Sequence, residues 1–326
     1  MATADRVKMI LQEIAVAVVF QVQLLAYWIY YTLKAFVPPG LLPRKSIEGR
    51  IMLITGSGSG IGRLSALEFG KLGARIVLWD VNAAGNEETK RLLEEQSIKC
   101  YAYTVDLSKT EQIYETAEKV KREVGQVDIL FNNAGVVTGK KFFDSPDKLI
   151  KLTLDVNLNA LIYTTKVFLP HMIEQDYGHI ITLASIAGHQ GVAGLVDYCA
   201  SKHGAVGFNE SIHRELRHIG SNVKTTCVNP YYIDTGMFTG VKSTRVNFFL
   251  PMLKPQYVVD RIVDAVLTDQ AQLFLPRFLY FVKALAGILP TEVSDLINDH
   301  VGSDRTMDGF VGRTNAPANG VHAKAA

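Results

Sequence analysis

Seven short runs of β-branched and other apolar residues alternate with helix-like stretches after Arg50, and this alternation limits the fold more than any other feature. The runs are RIMLIT (50–55), RIVLWD (75–80), CYAYTVD (100–106), DILFN (128–132), HIITLAS (179–185), VKTTCVN (223–229) and QLFLP (272–276). The stretches between them, such as 60–73, 85–96 and 109–124, are polar on one helical face and apolar on the other. Such alternation is typical of a parallel sheet covered by helices on both faces. We therefore predict an α/β fold with seven parallel strands in doubly wound order.

The first fifty residues contain one long run without a charge. It extends from Ile14 to Leu33, twenty residues bounded by Glu13 and Lys34. A helix of this length spans about 30 Å, the thickness of the hydrocarbon core of a bilayer. No small-residue cleavage site follows, and an aromatic cluster typical of membrane interfaces lies near its end, formed by Tyr27, Trp28, Tyr30 and Tyr31. We predict that residues 1–45 form a retained membrane or lipid-droplet anchor with a linker.

The alternative for this run is an amphipathic helix buried against the globular part, which Gln21 and Gln23 would permit. If the run is an anchor, the basic residues around it indicate its orientation. Arg6 and Lys8 precede it, and a larger set follows it, namely Lys34, Arg44, Lys45 and Arg50. Because positive residues favour the cytoplasmic side, we expect the globular part to face the cytoplasm.

Composition limits the partners of the remaining chain. The formal net charge is +2 and the basic residues form no block, so no nucleic-acid partner is indicated. Cys100, Cys199 and Cys227 are far apart and form no CxxC pair, which argues against disulfides and against a metal site and indicates a reducing compartment. We predict one globular domain over residues 46–303 and a flexible tail over residues 304–326, which are rich in Gly, Asn and Ala.

A glycine-rich stretch, TGSGSGIG at 55–62, follows the first strand and opens the first helix. Glycines at such a turn let the backbone approach a pyrophosphate, whose charge then meets the amide groups at the helix start. The spacing TGxxxGxG differs from the usual GxGxxG pattern, and a tight connection without a ligand is the alternative. The position on the first strand of an alternating chain favours a dinucleotide cofactor.

Asp80 ends the second strand, where a carboxylate would lie beside the adenosine ribose of such a cofactor. A carboxylate there accepts hydrogen bonds from the ribose hydroxyls and repels a 2′-phosphate, which favours NAD over NADP. The alternative is a surface aspartate that begins a loop.

Tyr198 and Lys202 are four residues apart on a predicted helix and therefore lie on one face. A phenol has a pKa of about 10, so acid or base work near neutral pH requires a shift of about three units, or roughly 4 kcal/mol. An adjacent ammonium, helped by a positively charged nicotinamide, can supply that shift. Ser185 ends the fifth strand and could polarise the same substrate oxygen. A solvated helix face and an ordinary turn serine are the alternatives.

Five ordered motifs together resemble the short-chain dehydrogenase/reductase family: TGSGSGIG, NNAG at 132–135, Asn157 in LDVNLNA, Ser185, and YCASK at 198–202. The resemblance covers about residues 50–280 and implies a single Rossmann-like domain. It implies that Tyr198 is the acid/base and that Lys202 lowers its pKa and holds the nicotinamide ribose. It further implies that Ser185 orients the substrate and that Asn157 carries a water in a proton relay.

The resemblance also implies NAD as the cofactor, with Asp106 beside the adenine ring and Asn132 and Gly135 in the cofactor wall. The full set of implied cofactor-binding residues is Thr55, Gly56, Ser57, Ser59, Gly60, Ile61, Gly62, Asp80, Asp106, Leu107, Asn132, Ala134, Gly135, Tyr198, Lys202, Pro230, Ile233 and Thr235. Two positions depart from the family pattern. Tyr231 replaces a glycine after Pro230, and LAS at 183–185 replaces the usual paired serines.

The hydrophobic N-terminus and the motifs VTGKKF, DYCASK, TGMF and MDGF resemble one branch of the family. That branch includes epidermal retinol dehydrogenase type 2, retinol dehydrogenase 10 and the 17-beta-hydroxysteroid dehydrogenases type 11 and type 13. It implies an enzyme of the endoplasmic reticulum membrane or lipid droplet, with its catalytic domain facing the cytoplasm, that oxidises or reduces a lipophilic substrate. Retinol is the first expectation and a steroid or long-chain alcohol the next; a homodimer is one expected assembly.

The stretch after the sixth strand is rich in large apolar residues, which we expect to line the substrate pocket or to contact a membrane: Tyr231, Tyr232, Met237, Phe238, Phe248, Phe249, Leu250, Met252 and Leu253. Ordinary core packing is the alternative for some of them. Two other functions remain open, a membrane or lipid-droplet scaffold that has lost turnover and a soluble reductase of small polar carbonyls.

Overall fold

A single seven-stranded parallel sheet organises the chain in the computed structural model, which describes residues 2–37, 40–242 and 244–312. The strands are β1 Ile51–Thr55, β2 Arg75–Asp80, β3 Cys100–Thr104, β4 Ile129–Asn132, β5 His179–Leu183, β6 Lys224–Pro230 and β7 Gln272–Leu275. Their order across the sheet is β3-β2-β1-β4-β5-β6-β7, and every pair is parallel. The order reverses between β1 and β4, which confirms the predicted doubly wound, Rossmann-like fold.

Ten α-helices lie within the described residues: α1 Ala2–Phe36, α2 Gly60–Lys71, α3 Ala83–Glu94, α4 Thr110–Glu123, α5 Asp147–Leu154, α6 Ala160–Glu174, α7 Val196–His218, α8 Pro255–Leu267, α9 Phe278–Ala286 and α10 Thr291–Val301. A π-helical turn at Asp155–Asn159 joins α5 to α6. Short 3₁₀ turns occur at Phe142–Asp144, Ile186–Gly188 and Ser303–Gly309.

The two faces of the sheet form two separate cores, because successive side chains of a strand point to opposite faces. Met52, Ile54, Ile76 and Leu78 pack in one core with residues of α2 and α8. Ile51, Leu53, Val77 and Trp79 pack in the other with residues of α4 and α6. Buried strands with apolar residues on both faces explain why the sequence shows continuous apolar runs instead of strict alternation.

A partly buried polar network fixes the chain before β1 to the amino-terminal edge of the sheet. Lys45 Nζ donates to His179 Nδ1 at 2.8 Å and to Asp269 Oδ1 at 2.6 Å. His179 Nε2 lies 2.8 Å from Thr226 Oγ1. Burial lowers the pKa of His179 well below its ordinary value, and the charge of Lys45 adds to this effect. The neutral imidazole can therefore accept from the ammonium.

The chain divides after Arg44 into two compact units. The described residues of the first unit contain α1, and within it the segment Ala4–Tyr31 has a mean hydropathy of 1.8 and is long and apolar enough to cross a membrane. The second unit contains all seven strands.

The C-terminal segment corrects one boundary of the sequence prediction. Residues 304–326 were predicted as a flexible tail, but Ser303–Gly309 forms a 3₁₀ turn in which Thr306 and Met307 are buried. The amide of Lys242 donates to the Thr306 carbonyl at 2.9 Å, and that of Val311 donates to Thr239 at 2.8 Å. These contacts could not be predicted from composition, because Met307 and Phe310 are isolated apolar residues in a polar stretch. Residues 313–326 lie outside the described part of the chain.

Removal of residues 1–37 should abolish resistance to alkaline carbonate extraction of membranes, because α1 carries the apolar segment of spanning length. The remaining chain should keep a cooperative thermal unfolding transition, since the first strand begins only at Ile51. Extraction of the intact and shortened chains from the same membranes measures the difference. A shortened chain that still resists extraction would show that α1 is not the anchor.

Candidate active site

The predicted site residues gather along the carboxyl-terminal edge of the sheet. Most of them lie at the end of a strand, in the segment after it, at the start of α2 or on α7, and in a parallel sheet the strand ends share one edge; Asn157 lies in the π-helical turn between α5 and α6. The loop after β1 carries the glycines, β2 ends at Asp80, and the segment after β3 carries Asp106 and Leu107. The segments after β4, β5 and β6 carry, respectively, Ala134 and Gly135, Ser185, and Ile233 and Thr235.

The glycine-rich loop passes close to the end of β4 and could not do so with side chains. Gly56 has φ +67°, and a Cβ there would lie 2.8 Å from the Cα of Ala134. A Cβ on Gly62 would collide with the carbonyl oxygen of Gly56. The loop ends at the N-cap of α2, Ser59, whose side chain makes no capping hydrogen bond, and the first turn contains no acidic residue. The amides from Gly60 onward can therefore receive an anion such as a pyrophosphate.

Asn133, which the sequence analysis did not select, joins the loop to β4. Its Nδ2 donates to the carbonyls of Thr55 at 2.7 Å and of Gly56 at 3.1 Å. The hydroxyl of Thr55 in turn accepts from the amides of Asn133 and Ala134, each at 3.0 Å. Its place as the second asparagine of NNAG was the sequence feature from which this role could have been predicted.

Asn132, by contrast, faces away from the loop. Its Nδ2 donates to Thr165 Oγ1 at 3.2 Å and its Oδ1 accepts from Thr164 Oγ1 at 2.7 Å, so both ends of the amide are used on α6. Asn132 therefore holds β4 on α6 through its side chain.

Asp80 closes the other side of the loop. Its Oδ2 accepts from the Gly58 amide at 2.7 Å and its Oδ1 from the Asn82 amide at 2.8 Å. A carboxylate has about four acceptor positions, so it can still accept from ribose hydroxyls. Arg63, the nearby cation, donates to the carbonyls of Gly58 and Gly85 and to the Thr89 hydroxyl and is thereby held in the protein. This arrangement fits a diphosphate with an unphosphorylated ribose.

Asp106 and Leu107 follow β3. The Oδ1 of Asp106 accepts from both the amide and the hydroxyl of Ser108, at 2.9 Å and 2.7 Å. Leu107 is buried in the core on the α4 side and lines a small cavity of about 10 Å³ together with Thr55, Ala134 and Asn157.

Tyr198, Lys202 and Ser185 meet where α7 crosses the ends of β5 and β6. Tyr198 and Lys202 lie one turn apart and are buried, with 6% and 3% of their surface exposed. Lys202 Nζ donates to the Leu183 carbonyl at 2.7 Å and lies 5.6 Å from the centroid of the Tyr198 ring. A Cβ added to Gly135 would lie 3.7 Å from Lys202 Nζ, so the segment after β4 borders the same group.

The predicted lowering of the Tyr198 pKa combines the Lys202 ammonium with the positive charge of a bound nicotinamide, and the protein itself supplies only the first of these. Burial raises the pKa of the Tyr198 phenol well above its ordinary value, and a hydrogen bond with Ser185 opposes that shift only in part. Burial also lowers the pKa of the Lys202 ammonium to about 8. The protein groups alone therefore do not lower the pKa of the phenol, because desolvation outweighs the hydrogen bond with Ser185.

Asn157 lies in the π-helical turn between α5 and α6, a type of irregularity common at functional sites. Its Oδ1 accepts from the Val136 amide at 2.8 Å, and its Nδ2 donates to the Val136 carbonyl at 2.9 Å and to Ser201 Oγ at 3.0 Å. The side chain thus ties the segment after β4 to α7 beside Lys202. The predicted water relay stays a prediction.

An apolar wall covers Tyr198. Its ring makes an edge contact with Phe238 at 5.8 Å between centroids, and Phe238 contacts Tyr232 at 5.1 Å and Phe310 at 6.4 Å. Met307 packs in the same cluster. The sequence analysis expected Phe238 and Tyr232 to line the substrate pocket or to contact a membrane. It did not select Met307 and Phe310, although both belong to the MDGF motif.

Tyr231 replaces the glycine that the family pattern carries after Pro230, and the structure accommodates it. Its φ is not positive, so glycine is not required there. Its amide donates to the Leu275 carbonyl at 2.7 Å, and burial raises the pKa of its phenol to about 12. Beyond it, Ile233 pairs with Leu253 as an isolated parallel bridge, and Thr235 donates its amide to the Ile233 carbonyl at 2.9 Å.

Comparisons with known proteins agree with this geometry. The family model described as short chain dehydrogenase matches residues 50–246. Epidermal retinol dehydrogenase 2 of Homo sapiens is 49% identical over 271 residues, which are 82% of this chain and 87% of the relative. Retinol dehydrogenase 10 of Xenopus tropicalis is 43% identical over 307 residues, or 86% of this chain and 90% of the relative.

Among solved structures, a short chain dehydrogenase/reductase from Burkholderia phymatum in complex with NAD has a TM-score of 0.67 and 26% identity, covering 78% of this chain and 96% of that chain. The family match includes every strand from β1 to β6. The chain therefore belongs to the short-chain dehydrogenase/reductase family.

Proposed function

We propose that the protein is an NAD-dependent oxidoreductase that interconverts a lipophilic alcohol and its carbonyl compound. The observation that carries this proposal is the position of Tyr198, with Lys202 and Ser185 on one side and the apolar wall of Phe238 on the other. A proton-transfer group and an apolar surface thus face the same space. All four side chains that the family resemblance implies for catalysis are present, namely Asn157, Ser185, Tyr198 and Lys202, which argues against a scaffold that has lost turnover.

NAD, when bound, would supply the acceptor or donor of the hydride and a positive charge beside the phenol. The amides at the start of α2 and the glycine-rich loop would hold its diphosphate, and Asp80 would bind the adenosine ribose. The NAD complex of the bacterial relative of known structure supports this assignment.

In alcohol oxidation, Tyr198 Oη, as the phenolate, takes the proton of the substrate hydroxyl. The carbon that bears this hydroxyl loses its hydride to the acceptor that NAD would supply and becomes a carbonyl carbon. Ser185 holds the substrate oxygen in place through its hydroxyl. Lys202 stabilises the phenolate with its positive charge, and Asn157 keeps the segment after β4 in position beside it. Reduction runs through the same groups in reverse.

The apolar wall favours a large apolar substrate, since each buried CH₂ contributes about 0.8 kcal/mol. Two relatives are retinol dehydrogenases by name, which supports retinol as the first candidate and a steroid or long-chain alcohol as the next. The apolar α1 and the basic residues after it support attachment to the endoplasmic reticulum membrane or to lipid droplets, with the catalytic unit facing the cytoplasm.

Tyr198→Phe should lower kcat by about 10²-fold to 10⁴-fold, the usual contribution of a general acid or base, while NAD binding stays close to normal. Turnover with retinol and NAD binding by fluorescence measure the two effects. Tyr232→Phe is the matched control, because it removes a neighbouring hydroxyl that bonds to Thr306 instead. Turnover of Tyr198→Phe within tenfold of the parent would contradict the acid/base assignment.

Asp80→Ala should reduce the ratio of kcat/KM for NAD to that for NADP by about tenfold or more, because it removes an acceptor for the ribose and a charge that repels phosphate. Asp80→Asn is the control for the loop, since its side-chain oxygen can still accept from an amide. Both variants should move the ratio in the same direction. An unchanged ratio in both would mean that Asp80 does not select the cofactor.

The value of kcat/KM with NAD should rise steeply with the apolar size of the alcohol, with all-trans-retinol far above ethanol or glycerol. Phe238→Ala should reduce the value for retinol more than that for a short alcohol, because it removes one wall of the pocket. Steady-state rates at matched free substrate concentrations provide the measurement. Equal values for short and long alcohols would favour a reductase of small carbonyls.

A further inference from the structure

Four phenylalanines from two separate segments form one exposed aromatic patch. Phe248 and Phe249 lie in the loop between β6 and α8, and Phe278 and Phe281 lie on α9. The ring centroids of Phe248 and Phe249 are 5.2 Å apart, those of Phe249 and Phe278 are 5.1 Å apart, and those of Phe278 and Phe281 are 5.9 Å apart. Phe248 is 89% exposed and Phe281 is 59% exposed. A continuous apolar surface of this kind marks an interaction site.

The two segments that carry the aromatic patch contain charges of one sign. Residues 236–259 and 270–291, which contain the four phenylalanines, include no aspartate or glutamate. Their exposed basic residues are Lys242, Arg245, Lys254 and Arg277. Exposed aromatic rings on segments whose charged side chains are all cations match the interface of a bilayer that contains anionic lipids.

A chain of apolar contacts leads from the aromatic patch to the catalytic tyrosine. Leu250, next to Phe249, packs with Tyr231 in the cluster around Leu279. Tyr231 contacts Tyr232 at 4.8 Å between ring centroids, and from there the contacts continue through Phe238 to Tyr198. These contacts join the aromatic patch to the apolar wall over Tyr198.

We propose that the aromatic patch docks the catalytic unit onto an anionic lipid surface, independently of α1, and that it is the point at which a lipid-dissolved substrate enters. The docking is inferred from the exposed rings and from the basic residues in the same segments. The entry of substrate, in contrast, rests on the proposed function. The aromatic patch inserts its rings at the level of the headgroups, and the flanking cations bind lipid phosphates.

The full chain in vesicles of phosphatidylcholine and phosphatidylserine tests the docking. Phe248→Trp places a fluorescent reporter at the most exposed ring, and Tyr114→Trp on α4 places one at an exposed aromatic position elsewhere. The emission of Trp28 and Trp79 in the parent chain is subtracted. We expect brominated lipids to remove most of the added emission of Phe248→Trp and little of that of Tyr114→Trp.

Equal quenching of the two variants would overturn the proposal. So would a blue shift of Phe248→Trp emission that is the same without lipid and grows with protein concentration, because it would show that a second copy of the chain covers the rings. Neither readout depends on turnover, so failure of the docking and failure of the proposed function are distinguishable.

A kinetic comparison tests the entry of substrate. The double variant Phe248→Ser, Phe281→Ser should lose severalfold in kcat/KM for retinol dissolved in the vesicles and should keep the parent value for retinol presented on a soluble carrier. An equal loss with both presentations would place these rings in the pocket, and no loss with either would separate the aromatic patch from substrate entry.

Discussion

The hydrogen bonds between Asn133 and the end of β1 fix the geometry on which the rest of the site depends. The order of the strands reverses between β1 and β4, so the helices that follow these strands lie on opposite faces and leave a crevice. Asn133 and Thr55 bridge the two strand ends with four hydrogen bonds. The glycine-rich loop is held on one side of this bridge and the segment that leads to Gly135 on the other, so both cofactor-facing segments take their position from it.

The chemistry of the site opposes its burial. Tyr198 and Lys202 are both buried, and burial disfavours the phenolate and the ammonium alike. An active pair needs both charges at once. The protein provides part of the compensation through the Leu183 carbonyl, which accepts from Lys202, and through Ser185. The remainder has to come from whatever binds in the crevice, which links proton transfer to occupancy of the site.

Much of the fold was predictable from the sequence because buried parallel strands and amphipathic helices leave strong local patterns. All seven strands were found within two residues of their ends, and β3 and β5 were each placed two residues too long. The glycines were equally clear, since collisions such as that between a Gly62 side chain and the Gly56 carbonyl leave no other residue type. The sequence does not predict whether Asn132 or Asn133 faces the crevice, because this depends on the pleat at the end of β4. The direction of the Tyr198 pKa shift was also out of reach, because the depth of burial is set by Phe238 and Met307, which come from distant segments.

The wall over Tyr198 is assembled from loop residues that share no hydrogen bond with Lys202 or Asn157. Phe238 comes from the loop after β6, and Phe310 comes from the C-terminal segment, where its ring fills the space that a side chain on Gly139 would need. Lys202 and Asn157, in contrast, are held by the end of β5, by the segment after β4 and by α7. The apolar wall and the Tyr198–Lys202 pair are therefore built on separate parts of the chain. Because Phe238 and Met307 also bury the Tyr198 ring, a substitution in the wall alters both the space beside the phenol and the desolvation that raises its pKa.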